Sequence, residues 1–214
     1  MIKCIIFDSD GTLVDSEPLG HKCMEQQLSK YGYHACRFKM EELYRGWKLQ
    51  EILDDLAGNF ENFELPDSFI PEYRAALDLM FVNELQAMPG VEEAIQQIDL
   101  AKCVASSGPV SKIKTALRVT GLEKYFGEKL FSAYVIGFWK PDPALFLRAA
   151  EEMGFEVEEC LVIEDSEVGV QAALAAGMKV IHYNPENIKI AVGREVTEIK
   201  HMNELISAID AFRF

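Results

Sequence analysis

Asp8 and Asp10 stand two residues apart at the end of a short apolar run, and Gly11 and Thr12 follow them. Ser106, Ser107 and Gly108 follow a second apolar run, Lys140 precedes a Pro-Asp-Pro turn, and Glu164, Asp165 and Ser166 close a third run. If the runs are parallel strands, all these polar groups reach the carboxyl edge of one sheet, where open α/β sheets bind ligands. Carboxylates crowded together repel, and a hard divalent cation with oxygen ligands relieves that repulsion. Magnesium suits two carboxylates plus a carbonyl, waters and a substrate phosphate, and Lys140 adds a further positive charge. A carboxylate near magnesium is a competent nucleophile toward phosphorus and splits one hard step into two. Asp10, across a turn eased by Gly11, can protonate the leaving oxygen and then take a proton from the attacking water. Ser106 and nearby backbone amides can hold phosphoryl oxygens as charge shifts during transfer. The blander reading makes these acids helix caps and turn formers, which would not also call for Ser106 and Lys140 at the same edge.

The elements that must position these groups are legible in the apolar pattern. Residues 2–8, 102–106, 160–164 and 178–183 read as short buried strands, each separated from the next by helix-period segments. Val91, Ala94, Ile95 and Ile98 form one helical stripe, and Val110, Ile113 and Leu117 form another, started by Pro109 in a first-turn position. Asp142-Pro143 supplies an N-cap and first-turn proline for a helix carrying Leu145, Phe146 and Ala149; Gly177 ends the helix after Ser166. Alternating strands and helices predict an α/β fold, a parallel sheet covered on both faces. Residues 16–85 break the rhythm with helical patterns such as Tyr73, Leu77, Met80 and Phe81 and no convincing strand. The expected organisation is a catalytic core of 1–15 and 86–214 with an all-helical insert of 16–85. Its hinges fall near Asp15-Ser16 and Gln86–Gly90, and 203–212 reads as a closing amphipathic helix.

Bulk properties exclude several classes. A formal charge of −14 argues against nucleic acid or an anionic membrane as partner, since both need a basic surface. It also means that an anionic substrate needs a cation and a few placed lysines to reverse the field locally. No stretch approaches the ~18 apolar residues of a membrane span, and the apolar stretch before Asp8 is too short for a signal peptide, so a cytoplasmic protein is expected. The five cysteines, Cys4, Cys23, Cys36, Cys103 and Cys160, contain no CxxC pair. Zinc and a disulfide framework are therefore not implied, and Cys4, Cys103 and Cys160 are expected to be buried thiols.

The set DSDGT (8–12), VASSG (104–108), KPDP (140–143) and VIEDS (162–166) resembles, in order and spacing, the four signature motifs of the haloacid dehalogenase superfamily. The resemblance covers essentially the whole chain. The insert is similar to the helical cap of the beta-phosphoglucomutase and phosphoglycolate phosphatase branch. Dehalogenases proper lack the second acid of the first motif, here Asp10, which favours phosphoryl chemistry. The resemblance implies a Rossmann-like core, Asp8 as nucleophile and Asp10 as acid and base. It implies Mg2+ on Asp8, the Asp10 carbonyl and Asp165, with Glu164 nearby or in the inner shell. Ser106, with Ser107 beside it, and Lys140 would bind the phosphoryl group, and Lys140 would pair with Asp8.

Beta-phosphoglucomutases carry a hinge histidine where this chain has Gly20, and His21 is one place off, about 100° around a helix. A phosphatase is thus the expectation, with an intramolecular phosphosugar mutase as the alternative and a non-catalytic phospho-effector-binding protein as an alternative of another class. Arg45-Gly46-Trp47-Lys48 occupies the place of the cap's substrate loop: Lys48 can meet an anionic or polyhydroxyl group, and Trp47 can stack on a sugar. Both residue types are equally at home as a solvated lysine and a packed tryptophan. Trp139, beside Lys140, either packs or faces the cleft. Similarity that includes 130–146 points to bacterial sugar phosphatases, a group containing 6-phosphogluconate phosphatase. The expected partner is a small phosphorylated metabolite, a sugar or sugar-acid phosphate with 6-phosphogluconate the leading candidate, acted on by a monomer.

Overall fold

The computed structural model describes residues 1–44, 47–192 and 196–212. In chain order the elements are β1 (Cys4–Phe7), α1 (Glu17–Ser29), α2 (Arg37–Tyr44), α3 (Leu49–Asn59), α4 (Phe69–Glu84), α5 (Val91–Gln96), β2 (Ala101–Ser106), α6 (Val110–Val119), α7 (Glu123–Phe126), β3 (Leu130–Ser132), α8 (Ala133–Ile136), α9 (Ala144–Met153), β4 (Cys160–Glu164), α10 (Glu167–Ala175), β5 (Lys179–Tyr183), β6 (Thr197–Ile199) and α11 (Leu205–Asp210). They divide into two compact units, 1–15 with 86–214, and 16–85.

The first unit is built on a six-stranded sheet of order β3-β2-β1-β4-β5-β6, parallel at every pairing. β1, and β4 as far as Ile163, run as unbroken apolar stretches because both faces of a central parallel strand are covered. From β1 the chain first winds outward through β2 and β3, then returns to the other side of β1 to lay down β4, β5 and β6. The direction of winding therefore reverses between β1 and β4, and the crevice beyond their carboxyl ends is where such sheets bind ligands. Register puts Phe7 beside Ile163 on one side and Val104 on the other, so Asp8 and Glu164 emerge next to each other.

Two strands escape the apolar pattern. β3 and β6 are three residues each, flank the sheet, and carry half-buried or exposed residues where a core strand would be apolar throughout. Two helix starts also differ from expectation. Pro109 and Pro143 occupy N-cap positions rather than the first turn, and Asp142 caps from one residue earlier by accepting the Ala144 amide at 2.8 Å. The closing segment is a 3-10 turn, Met202–Glu204, leading into the shorter α11.

Cys4, Cys103 and Cys160 are buried in the core with Leu145, Phe146 and Ala149 of α9. Their thiols are unbridged, as expected, and contacts within the cluster push Cys4 up to about 12. Trp139 packs against this same core and meets Tyr134 edge to face. Where the insert leaves and re-enters, Val14 bridges to Ala87 and the Asp15 amide donates to the Gln86 carbonyl at 3.0 Å.

The second unit is all-helical among the described residues. α1 packs on α2 and α4. Phe69, Tyr73, Leu77 and Phe81 recur every fourth residue as the buried stripe of α4, while Met80 is only partly covered. No helix of the described residues is long and apolar enough to cross a membrane.

Phe146 is fully buried and its ring lies 5.0 Å from Lys140 Nζ, so it supports both the sheet and the site. Phe146→Ala should lower unfolding free energy by about 3–5 kcal/mol, and Phe146→Leu by clearly less, measured by denaturant titration.

Candidate active site

Asp8 is the first residue past β1, and its amide still donates to the Ile163 carbonyl at 2.9 Å, so the backbone that carries it belongs to the sheet. Its carboxylate is buried and accepts from Lys140 Nζ at 2.5 Å. The same ammonium reaches Glu164 Oε2 at 3.0 Å. Glu164, at the end of β4, gives its other oxygen to the amide of Ser166 at 3.1 Å and to the Ser166 hydroxyl. That hydroxyl also accepts from the Gly169 amide at 3.1 Å, capping α10. Burial, Glu164 and Asp10 together outweigh the opposing Lys140 and push Asp8 up to about 8. Burial also works against the Lys140 charge, but Asp8 and Glu164 hold its pKa above the ordinary lysine value.

Asp165 completes the acidic group. Ligand oxygens of Asp8, Glu164 and Asp165 all lie within 4.8 Å of one another. Thr12 Oγ1 donates to Asp165 Oδ1 at 2.9 Å, and His182 Nε2 donates to the Asp165 carbonyl at 3.0 Å. Gly11, at φ +78°, leaves the space that the carboxylate fills: a Cβ there would fall 2.3 Å from Asp165 Oδ2. Gly169 does the same for Glu164, whose Cδ would lie 2.0 Å from an added Cβ. An all-oxygen donor set of crowded, mostly buried acids suits a hard divalent cation such as magnesium.

Ser106 closes β2, is buried, and its Oγ accepts from the Gly108 amide at 3.0 Å. Ser132 Oγ donates to the Gly108 carbonyl at 2.6 Å, tying this turn to β3. Ser107 lies partly exposed in the bend between them. Asp10 is partly buried, and Lys112 of α6 places its Nζ 2.7 Å from Asp10 Oδ1. Asp8, Asp10, Ser106, Lys140, Glu164 and Asp165 thus share the carboxyl edge of one sheet. Thr12, Lys112, Ser132 and His182 are neighbours that the motif reading had not assigned to the site.

Trp47 and Lys48 lie in the helical unit, at the turn into α3. Lys48 caps that helix and pairs with Glu51 at 3.3 Å; the half-exposed Trp47 meets Tyr44 edge to face. Arg45 and Gly46 of the same expected loop lie outside the described residues. His21 is buried within α1, and Tyr73 Oη donates to the Gly20 carbonyl at 3.4 Å.

A family model for haloacid dehalogenase-like hydrolases matches residues 2–177. The chain belongs to that family. It is 34% identical to the 6-phosphogluconate phosphatase of Escherichia coli K12 over 206 residues, 95% of this chain and 93% of that one. It is 31% identical to the phosphorylated carbohydrates phosphatase of Thermotoga maritima, over 85% of this chain and 84% of that one. A haloacid dehalogenase-like protein of Agrobacterium tumefaciens superposes with a TM-score of 0.83 at 28% identity, covering all of both chains. Family and relatives together make this chain a phosphatase.

Two outcomes test the geometry. Gly169→Ala drives a methyl into Glu164 and should cost about 1–3 kcal/mol of stability, with a matching fall in phosphatase activity. In chelator, burial beside Glu164 lets Asp8 keep its proton in the folded state up to about pH 8, whereas the unfolded chain loses it near the ordinary 3.8. The stability this gives is present at low pH and is lost as pH rises from about 4 to about 8. Asp8→Asn removes that dependence, so its melting temperature should gain on wild type steadily between about pH 5 and pH 8.

Proposed function

We propose that the protein hydrolyses a small sugar or sugar-acid phosphate, with 6-phosphogluconate the first candidate, through an aspartyl-phosphate on Asp8. The observation that carries this reading is the buried Asp8 held at 2.5 Å by Lys140 beside Asp165, at the sheet's reversal point. Lys140 occupies Oδ1, so Oδ2 is the oxygen that attacks phosphorus. Asp8 forms the new bond to phosphorus as the bond to the leaving oxygen breaks, and Asp10 delivers a proton to that oxygen. Water then attacks the aspartyl-phosphate and gives its proton to Asp10, and the bond from phosphorus to Asp8 breaks. Ser106 and the amides of its turn hold phosphoryl oxygens throughout, with Ser107 beside them.

Asp8, Asp165, Glu164 and the Asp10 carbonyl would hold Mg2+. When bound, the cation supplies charge stabilisation to the phosphoryl oxygens and relieves repulsion among the carboxylates. The helical unit, 16–85, serves as the part of the chain that reads the rest of the substrate. Trp47 and Lys48 are its recognition residues, supported by their exposure on the turn into α3. Similarity to the E. coli and T. maritima phosphatases supports the carbohydrate class.

Phosphate release from a panel of sugar, sugar-acid, glycolate and nucleotide monophosphates, with magnesium and with EDTA, tests the reading. Magnesium-dependent release from 6-phosphogluconate or a related sugar phosphate is expected, and isomerised phosphosugar without free phosphate would instead indicate a mutase. Asp8→Asn should reduce turnover by at least about 10⁴-fold with the fold intact. Lys48→Ala should raise KM for the preferred sugar phosphate about tenfold and leave p-nitrophenyl phosphate nearly unchanged; equal effects on both would remove Lys48 from substrate recognition.

A further inference from the structure

Each acid of the first motif has its own lysine. Asp8 is served by Lys140, and Asp10 by Lys112 at 2.7 Å. The second pair has no counterpart in the motif reading. Lys112 sits in the first turn of α6, where the positive end of the helix dipole disfavours a cation, so the helix gains nothing from a lysine there. Gly108 lies directly beneath the pair. A Cβ on it would fall 3.4 Å from Lys112 Cδ, 3.4 Å from Ser106 Oγ and 3.7 Å from Asp10 Oδ2, so the turn after β2 lies in van der Waals reach of the lysine stem and the acid together. Both side chains are about three-quarters buried, at 26% and 25% exposure, so solvent screens the contact only in part.

We infer that Lys112 is a positioning residue for Asp10: by anchoring Oδ1 it fixes the direction in which Oδ2 meets the reacting oxygen. This rests on the phosphatase reading and extends it to a residue outside the four motifs. Proton transfer demands placement of the donor and acceptor within hydrogen-bond reach, and a carboxylate on a turn can rotate about two bonds unless held. Pinning one oxygen removes that freedom at the step where Asp10 gives or takes the proton, without any contact between Lys112 and the substrate.

A double-mutant cycle on the full-length, magnesium-loaded enzyme tests this. The probe is p-nitrophenyl phosphate, whose leaving group departs largely unaided, so Asp10→Asn variants keep measurable turnover that reports proton removal from water. Lys112→Met, which keeps the stem over Gly108, should lower kcat about tenfold or more and leave KM within about threefold. Lys112→Arg should recover most of the loss. In the Asp10→Asn background, Lys112→Met should change kcat by less than about twofold, because the group it orients is already disabled. A full additional loss in that background overturns the inference, as does an effect confined to KM, which would make Lys112 a substrate ligand. Unchanged kcat in Lys112→Met overturns it too. Absence of phosphate release by the wild-type enzyme would instead defeat the phosphatase reading itself, and this inference with it.

Discussion

A lysine ammonium buried between two carboxylates is costly on its own. Burying either partner alone would cost several kcal/mol, and the arrangement stands only because Lys140, Asp8 and Glu164 satisfy one another. Much of the core's geometry follows from that constraint. Asp8 and Glu164 must leave adjacent strands at the same level, which the β1–β4 register provides. Glu164 must turn inward, which Gly169 permits by presenting no side chain and Ser166 secures by donating twice. Lys140 must arrive from a loop beyond β3 and lay its charge near the ring of Phe146. Loss of Lys140 leaves two buried carboxylates unpaired, whereas loss of either acid leaves the lysine with the other alone.

The same arithmetic explains how so acidic a chain handles an anion. With a formal charge of −14, long-range attraction toward phosphate is absent, and recognition is short-ranged. The positive groups at the carboxyl edge are Lys140, Lys112 and the amides around Gly108. Each acts over a few ångströms, and the buried ones act where salt screens little.

Most of this was legible in the sequence because chemistry and strand ends coincide. The runs that became β1, β2, β4 and β5 are apolar, and each of the first three is followed by a polar residue now found at the site. β3 and β6 were not legible, since three residues, only the last of them buried, carry no periodicity. Lys112 was missed because helix position alone does not say what a side chain reaches across; its signal was a lysine in the wrong end of a helix. His182 and Ser132 were missed for another reason. His182 reads as an ordinary strand residue, and Ser132 lies in a strand that was itself not legible, until the fold brings them to Asp165 and Gly108.

The junction of the insert has a consequence for how such proteins diversify. The chain leaves the sheet unit at Asp15 and returns at Gln86, and those two residues are hydrogen-bonded to each other, with Val14 and Ala87 bridged just inside them. To the sheet unit, everything between is a loop whose ends are already closed. Lengthening or replacing a loop with fixed ends costs little, because closure entropy grows only logarithmically with length. The whole helical segment can therefore be exchanged over evolutionary time while the sheet unit and its carboxyl edge stay untouched.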